Sequence, residues 1–279
     1  MSRMGRMEAD KMDKTKIDWC DSTWNPVTGC LHGCEYCYAR DMARRFGGWM
    51  DSDGDIHHDT ILKDDSLIRV LEEPLHKTIE QKNGECKWIK APYPYDFIPT
   101  FYHYKLEEPL KWKKGRNIFV CSMADLFGRW VPDNWIEEVF KACEKAPQHN
   151  YLFLTKSLLR YIELINNSIL GKAGNNMWFG YSFTRNDDIR WWNENHNIFV
   201  SIEPILEPVD IPICNWIIIG AETGRRKDKA IPRREWIEHI VNGCKNWGIP
   251  VFMKSSLADI WGEPLIQEFP KGLKREAKE

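Results

Sequence analysis

Ile198-Phe199-Val200-Ser201-Ile202-Glu203-Pro204 is a short, almost continuous apolar run that stops on a carboxylate and a proline. Strands buried on both faces read this way, and such strands belong to parallel sheets covered by helices. Runs of the same kind recur at Ile118–Ser122, Tyr151–Thr155, Met177–Ser182, Trp216–Ile219 and Pro250–Met253. Between most of them lie segments with apolar residues at helical spacing: Trp135–Ala142, Leu158–Ile165 and Trp236–Cys244, the last preceded by Pro232 as a helix start. Strands alternating with helices predict a parallel sheet with crossover helices. No G-x-G-x-x-G follows the first strand, which disfavours a dinucleotide fold.

The polar residues collect where these runs end. Ile118–Cys121 ends at Ser122, with Asp125 one turn on, and Leu152–Leu154 ends at Thr155-Lys156. Phe179–Tyr181 ends at Ser182, Phe199–Ile202 at Glu203, Ile217–Gly220 runs on to Glu222, and Val251–Met253 ends at Lys254. In β/α barrels the C-terminal strand ends converge on one mouth, and that mouth carries the site. A structural reading stands beside this one: a chain leaving the core ends its strands on polar residues, and Asp125 can cap the next helix. The set as a whole favours function. Glu203 and Glu222 lie next to strand interiors, where a carboxylate is costly to bury without a partner; a cofactor or a base with donor groups supplies one.

Towards the N-terminus, residues 1–14 read as a disordered leader and residues 15–279 as a single domain. Thr15–Pro26, with Ile17, Trp19 and Trp24, reads as a first strand running into Cys30-Leu31-His32-Gly33-Cys34-Glu35-Tyr36-Cys37. A loop this short can turn its three thiolates towards one point. Iron–sulfur clusters normally take four thiolates, so a three-cysteine site leaves one metal position open to a small-molecule ligand. A structural zinc site is the competing reading, although zinc favours four ligands in two pairs and His32 sits badly between two of the cysteines. Tyr38–Phe46 reads as a helix stopped by Gly47-Gly48. Residues 47–116 lose any strong period and are rich in charge, proline and aromatics. They predict an excursion, partly helical around Leu67–Leu75, that is either a lid over the site or a surface insertion without a role.

The 279 residues suit one large domain, and 43% hydrophobic content supports a sizeable core. A net charge of −2 gives no global basic field to attract nucleic acid. No apolar leader and no run of about 18 apolar residues is present, which predicts a cytoplasmic protein without a membrane partner. A reducing compartment makes disulfides unexpected, and Cys20, Cys86, Cys121, Cys143, Cys214 and Cys244 are expected as small buried residues rather than ligands. Most of the fourteen tryptophans are expected in the core, a few against a planar ligand.

The C-x3-C-x2-C spacing, with the aromatic Tyr36 before its third cysteine, resembles the signature of the radical SAM enzymes. Further stretches resemble the Gp37/Gp68 phage-protein family, also called DUF5131, which the resemblance places among those enzymes. They are Thr23-Trp24-Asn25-Pro26-Val27-Thr28-Gly29-Cys30, Ser122-Met123-Ala124-Asp125-Leu126-Phe127, Leu154-Thr155-Lys156, Ser201-Ile202-Glu203-Pro204, Gly220-Ala221-Glu222-Thr223-Gly224, Phe252-Met253-Lys254 and Glu268-Phe269-Pro270. The likeness spans roughly residues 15–270. Two departures are Gly220-Ala221-Glu222, where the family more often has Gly-Gly-Glu, and Lys254-Ser255, where it usually has Lys-Gln.

The resemblance implies a partial (β/α)6-type radical SAM barrel interrupted by the excursion. It implies a [4Fe–4S] cluster on Cys30, Cys34 and Cys37 and reductive cleavage of S-adenosylmethionine to a 5′-deoxyadenosyl radical, with the protein placing and shielding the cofactor. Tyr36, Ser122, Asp125, Lys156 and Ser182 are the expected contacts to S-adenosylmethionine. One activity associated with the family is queuine lyase, which cleaves the C–N bond of queuine and releases the 7-aminomethyl-7-deazaguanine base, preQ1, for queuosine salvage. On that expectation Glu203 and Glu222 accept the N–H edge of the base and act in catalysis with Lys254. Trp24 stacks on the base or Tyr36 does, and Asn25 lines its site. The expected partners are a free nucleobase and an electron donor such as flavodoxin or ferredoxin, not nucleic acid. Two other classes stand open: a radical SAM enzyme that modifies or repairs nucleic acid or protein, and a non-enzymatic zinc-binding interaction module.

Overall fold

A computed structural model of the chain describes residues 15–57, 67–169, 173–223 and 226–273; the expected leader, residues 1–14, lies outside them. Seven parallel strands follow one another in chain order across a single curled sheet, a half-barrel. They are β1 (Ser22–Trp24), β2 (Asn117–Val120), β3 (Asn150–Thr155), β4 (Met177–Ser182), β5 (Asn197–Ile202), β6 (Trp216–Ile219) and β7 (Val251–Met253). The sheet is one strand wider than six units, because the segment before the cysteine loop joins it through β1, paired with β2. Helix α1 (Tyr38–Phe46) follows the cysteine loop and ends at Gly47. Three crossover helices, α2 (Asp133–Lys145), α3 (Leu158–Asn166) and α4 (Arg234–Trp247), lie where helical spacing placed them, each extending past its apolar stripe. Among the described residues, β4 to β5 and β5 to β6 connect without a helix.

Alternate strand residues face opposite sides of the sheet. One side, with Val120, Phe153, Phe179, Val200 and Ile217, packs against the helices; Ile136, Val139 and Phe140 of α2 are buried there. The other side lines the lumen and is plugged by aromatics. Trp19 packs 4.6 Å from Phe119 and 6.0 Å from Phe199, Phe199 lies 6.0 Å from Trp216, and Phe252 lies 5.2 Å from Phe269. Gly180 makes this fit possible, since a Cβ there would stand 2.1 Å from the Phe199 ring. The gap between β1 and β7 is spanned in part by the chain before β1: Ser255 N donates to Asp18 Oδ2 at 2.8 Å. Residues after β7 fold back on it, with Met253 N donating to Ile266 O at 2.7 Å and Glu268 N to Val251 O at 3.0 Å.

The excursion holds no helix among the described residues of Leu67–Leu75. Arg69–Leu71 is instead a strand, whose backbone groups pair in parallel with Thr100–Tyr102; that strand pairs antiparallel with Val27–Thr28. Two hairpins, Trp49–Met50 with Ile56–His57 and His76–Glu80 with Cys86–Lys90, and two 3-10 turns, His103–Lys105 and Pro109–Lys111, make up its other described elements. Its end presses on the residue before the cysteine loop. Gly29 has φ +85, and a Cβ there would lie 2.3 Å from Ile98 O, so only glycine fits.

Candidate functional site

At the C-terminal edge of the half-barrel the strand ends and the cysteine loop enclose one cavity of about 430 Å³. Cys30, Cys34 and Cys37 line it, and so do Tyr36, Ser122, Asp125, Lys156, Ser182, Glu203, Glu222 and Lys254. Residues that sequence reasoning did not assign join them: Trp19, Phe119 and Leu154 at the apolar floor, His32 and Tyr38 beside the loop, and Phe97 from the excursion.

The loop is held at its base by backbone bonds, Gly29 N to Met123 O at 2.9 Å and Cys30 N to Phe97 O at 3.3 Å, and Cys37 caps α1. Burial pushes the Cys30 thiol up to about 12, and neighbouring charge at Asp125, Cys34 and Cys37 adds to this; the His32 backbone N–H works against it. An uncompensated thiolate is therefore disfavoured at this position. All three loop cysteines are outside disulfides. Among the described residues no three His, Cys, Asp or Glu side chains stand as an assembled ligand set for a metal ion. The three loop cysteines thus share one cavity but are not arranged as a cluster site.

Asp125 is 5% exposed and both its oxygens are engaged. Oδ1 accepts from Thr155 Oγ1 at 2.7 Å and Phe127 N at 3.1 Å; Oδ2 accepts from His32 Nε2 at 2.6 Å and Lys156 N at 2.9 Å. It is a junction between the cysteine loop, the turn after β2 and the end of β3, rather than a carboxylate waiting for a ligand. Lys156 reaches into the cavity, its Nζ 3.3 Å from Ser182 Oγ and 3.4 Å from Tyr36 OH.

Glu203 and Lys254 come together across the end of β6, with Lys254 Nζ donating to Glu203 Oε1 at 2.5 Å. Gly220 leaves them room, because its Cβ would meet Lys254 Cδ at 3.1 Å and the Glu203 carboxyl carbon at 3.2 Å. Glu222 is differently placed. Its side chain is 2% exposed and clamped by Arg226, Nε to Oε1 at 2.7 Å and Nη2 to Oε2 at 2.8 Å, with Ala230 N donating to Oε2 at 3.0 Å. That arginine holds the Glu222 carboxyl below its usual range. Arg226 also reaches Glu35 of the cysteine loop, at 3.4 Å.

Two expected substrate contacts lie elsewhere. Trp24 is fully buried on the helix side, its Nε1 donating to Lys105 O at 2.9 Å, so it is not an aromatic of the mouth. Asn25 braces the turn after β2, its Oδ1 accepting from Ser122 Oγ and Met123 N, both at 3.1 Å. Of the six outlying cysteines, Cys86 is exposed on a hairpin and the other five are buried.

A family model described as a protein of unknown function matches residues 14–274. The chain belongs to the DUF5131 family. The match takes in the whole half-barrel, the cysteine loop and the excursion. No curated protein and no solved structure matches this DUF5131 chain. No helix among the described residues is long and apolar enough to cross a membrane.

Proposed function

We propose that this DUF5131 protein is a radical SAM enzyme, with Cys30, Cys34 and Cys37 as the protein ligands of a [4Fe–4S] cluster, that acts as a lyase on the C–N bond of queuine and releases 7-aminomethyl-7-deazaguanine. The observation that carries the reading is the sharing of one cavity, at the C-terminal edge of a parallel sheet, by three loop cysteines and the polar side chains of Lys156, Glu203 and Lys254. When bound, the cluster and S-adenosylmethionine supply a 5′-deoxyadenosyl radical, and a bound metal keeps its thiols deprotonated.

The chain's own residues bind and orient its ligands. Lys156 Nζ, beside two hydroxyls, suits a ligand carboxylate. Glu203 is the better acceptor for the N–H edge of a guanine-like base, because Arg226 already occupies both oxygens of Glu222. Lys254 Nζ can carry the proton that the released amine nitrogen needs, with Glu203 holding it in place. The floor built on Trp19 and Phe119, whose rings pack 4.6 Å apart, gives the cavity an apolar base. A cavity of this size suits a small molecule.

The test is anaerobic reconstitution followed by incubation with S-adenosylmethionine, a strong reductant and queuine, read by mass spectrometry. About four irons per chain with a brown chromophore are expected, together with 5′-deoxyadenosine and the free base. Changing any of Cys30, Cys34 or Cys37 to Ala abolishes both products. A chain that takes up zinc but never iron refutes the reading. Activity on the free base that is insensitive to salt, without polynucleotide binding, separates it from a nucleic-acid-modifying enzyme.

A further inference from the structure

We propose that His32 is the positioning residue of the cysteine loop: its side chain docks on buried Asp125 and so fixes where the sulfurs on either side of it are presented. The inference deepens the proposed function, since it concerns how that site holds its ligands. The loop's base is tied by backbone bonds at Gly29 and Cys30, and its far end enters α1 at Cys37. What lies between has to be ordered by side chains, and Gly33, with φ +73 and no atom within 4 Å of where its Cβ would stand, offers no packing.

Side-chain ties reach this middle segment at His32, Glu35 and Tyr36, and their surroundings rank them; the Tyr36 contact with Lys156 Nζ is long, at 3.4 Å, and exposed. Glu35 meets Arg226 at 3.4 Å, but its side chain is 83% exposed, and an exposed pair of this kind contributes little. His32 Nε2 meets an Asp125 whose side chain is 7% exposed, at 2.6 Å, and that carboxylate is fixed by Thr155, Phe127 and Lys156. A hydrogen bond to a charged, desolvated and pre-oriented acceptor is the stronger kind. The ring also packs edge-on against Trp130, with centroids 4.9 Å apart. With Nε2 held against Asp125 at 2.6 Å, that nitrogen is taken up by the carboxylate.

Hydrogen–deuterium exchange of the metal-free protein tests this. His32→Ala is expected to speed exchange of the hydrogen-bonded amides that bound the loop, those of Gly29, Cys30 and Asp41, at least tenfold, as loss of a bond to a buried charge predicts. His32→Gln, which can offer a donor to the same oxygen, restores most of the protection, and Glu35→Gln stays within about twofold of wild type. The proposal is overturned if His32→Ala exchanges like Glu35→Gln, if His32→Gln is no better than His32→Ala, or if protection falls equally in β4 and β5. Iron per chain is measured separately. A wild-type chain that never loads iron removes the proposed function and leaves the exchange result to decide the role of His32.

Discussion

Asp125→Asn replaces one oxygen by an NH2 group and leaves the shape of the side chain almost unchanged, which makes it a sharp test of the junction. Each carboxylate oxygen takes one backbone N–H, from Phe127 on Oδ1 and from Lys156 on Oδ2. Thr155 can turn its hydroxyl and His32 can change tautomer, but a backbone N–H cannot become an acceptor. In either orientation the new NH2 therefore faces a buried donor. That orphaned amide costs about 1–3 kcal/mol, and loss of the charge from the surviving bonds about 1.5–3 kcal/mol. The sum, roughly 2.5–6 kcal/mol, corresponds to a fall in Tm of about 5–24 °C for a chain of this size. Differential scanning calorimetry on the metal-free protein measures it. A variant melting within about 2 °C of wild type would show that Asp125 is not a fixed acceptor joining the loop to the strand ends.

Gly220→Val places a branched side chain where Glu203 and Lys254 meet, so product formation by the loaded enzyme should drop about a hundredfold while iron content stays that of wild type; metal analysis beside mass spectrometry checks both. Arg226→Met removes the group that lowers the Glu222 carboxyl. A depressed carboxyl stabilises the fold above its unfolded pKa, and that contribution is lost as pH falls through the folded value. Wild type should therefore exceed the variant in stability from neutral pH down to the ordinary glutamate range and converge with it in stronger acid, which urea titrations across pH resolve. Trp216→Ala empties the fully buried centre of the lumen plug and removes the bond from Nε1 to Glu268 O, for a loss of about 3–5 kcal/mol read from the urea midpoint.

Strands buried on both faces were legible because they are apolar runs bounded by polar ends; Met177–Ser182 and Trp216–Ile219 match residue for residue. The same property hid which residues face the lumen, since a run without alternation carries no parity. Trp24 shows the consequence: it pairs with Val120, on the helix side, while Thr23 beside it pairs with the lumen residue Phe119. The excursion resisted reading for another reason. Its strands are two to five residues long and largely polar, so pairing partners distant in sequence decide them, as Thr100–Tyr102 does for Arg69–Leu71. Arg226 on Glu222 and His32 on Asp125 likewise depend on where loops run, and no local pattern announces either contact.

Once a single lumen residue is known, however, most of the site can be read from period two alone. From Leu152 the inward positions run through Leu154 to Lys156, and from Trp178 through Gly180 to Ser182. From Phe199 they run through Ser201 to Glu203, from Trp216 through Ile218 to Gly220 and then Glu222, and from Phe252 to Lys254. Each column passes from bulk at the floor to a polar head at the rim, which is why the strand-end residues meet in one cavity. The rule breaks at β2, where Cys121 takes φ 56 and turns the chain. That break carries Asp125 off the lumen column and under the cysteine loop, where His32 reaches it. The heads of the continuing columns line the cavity, whereas the residue displaced by the break is spent on holding the loop.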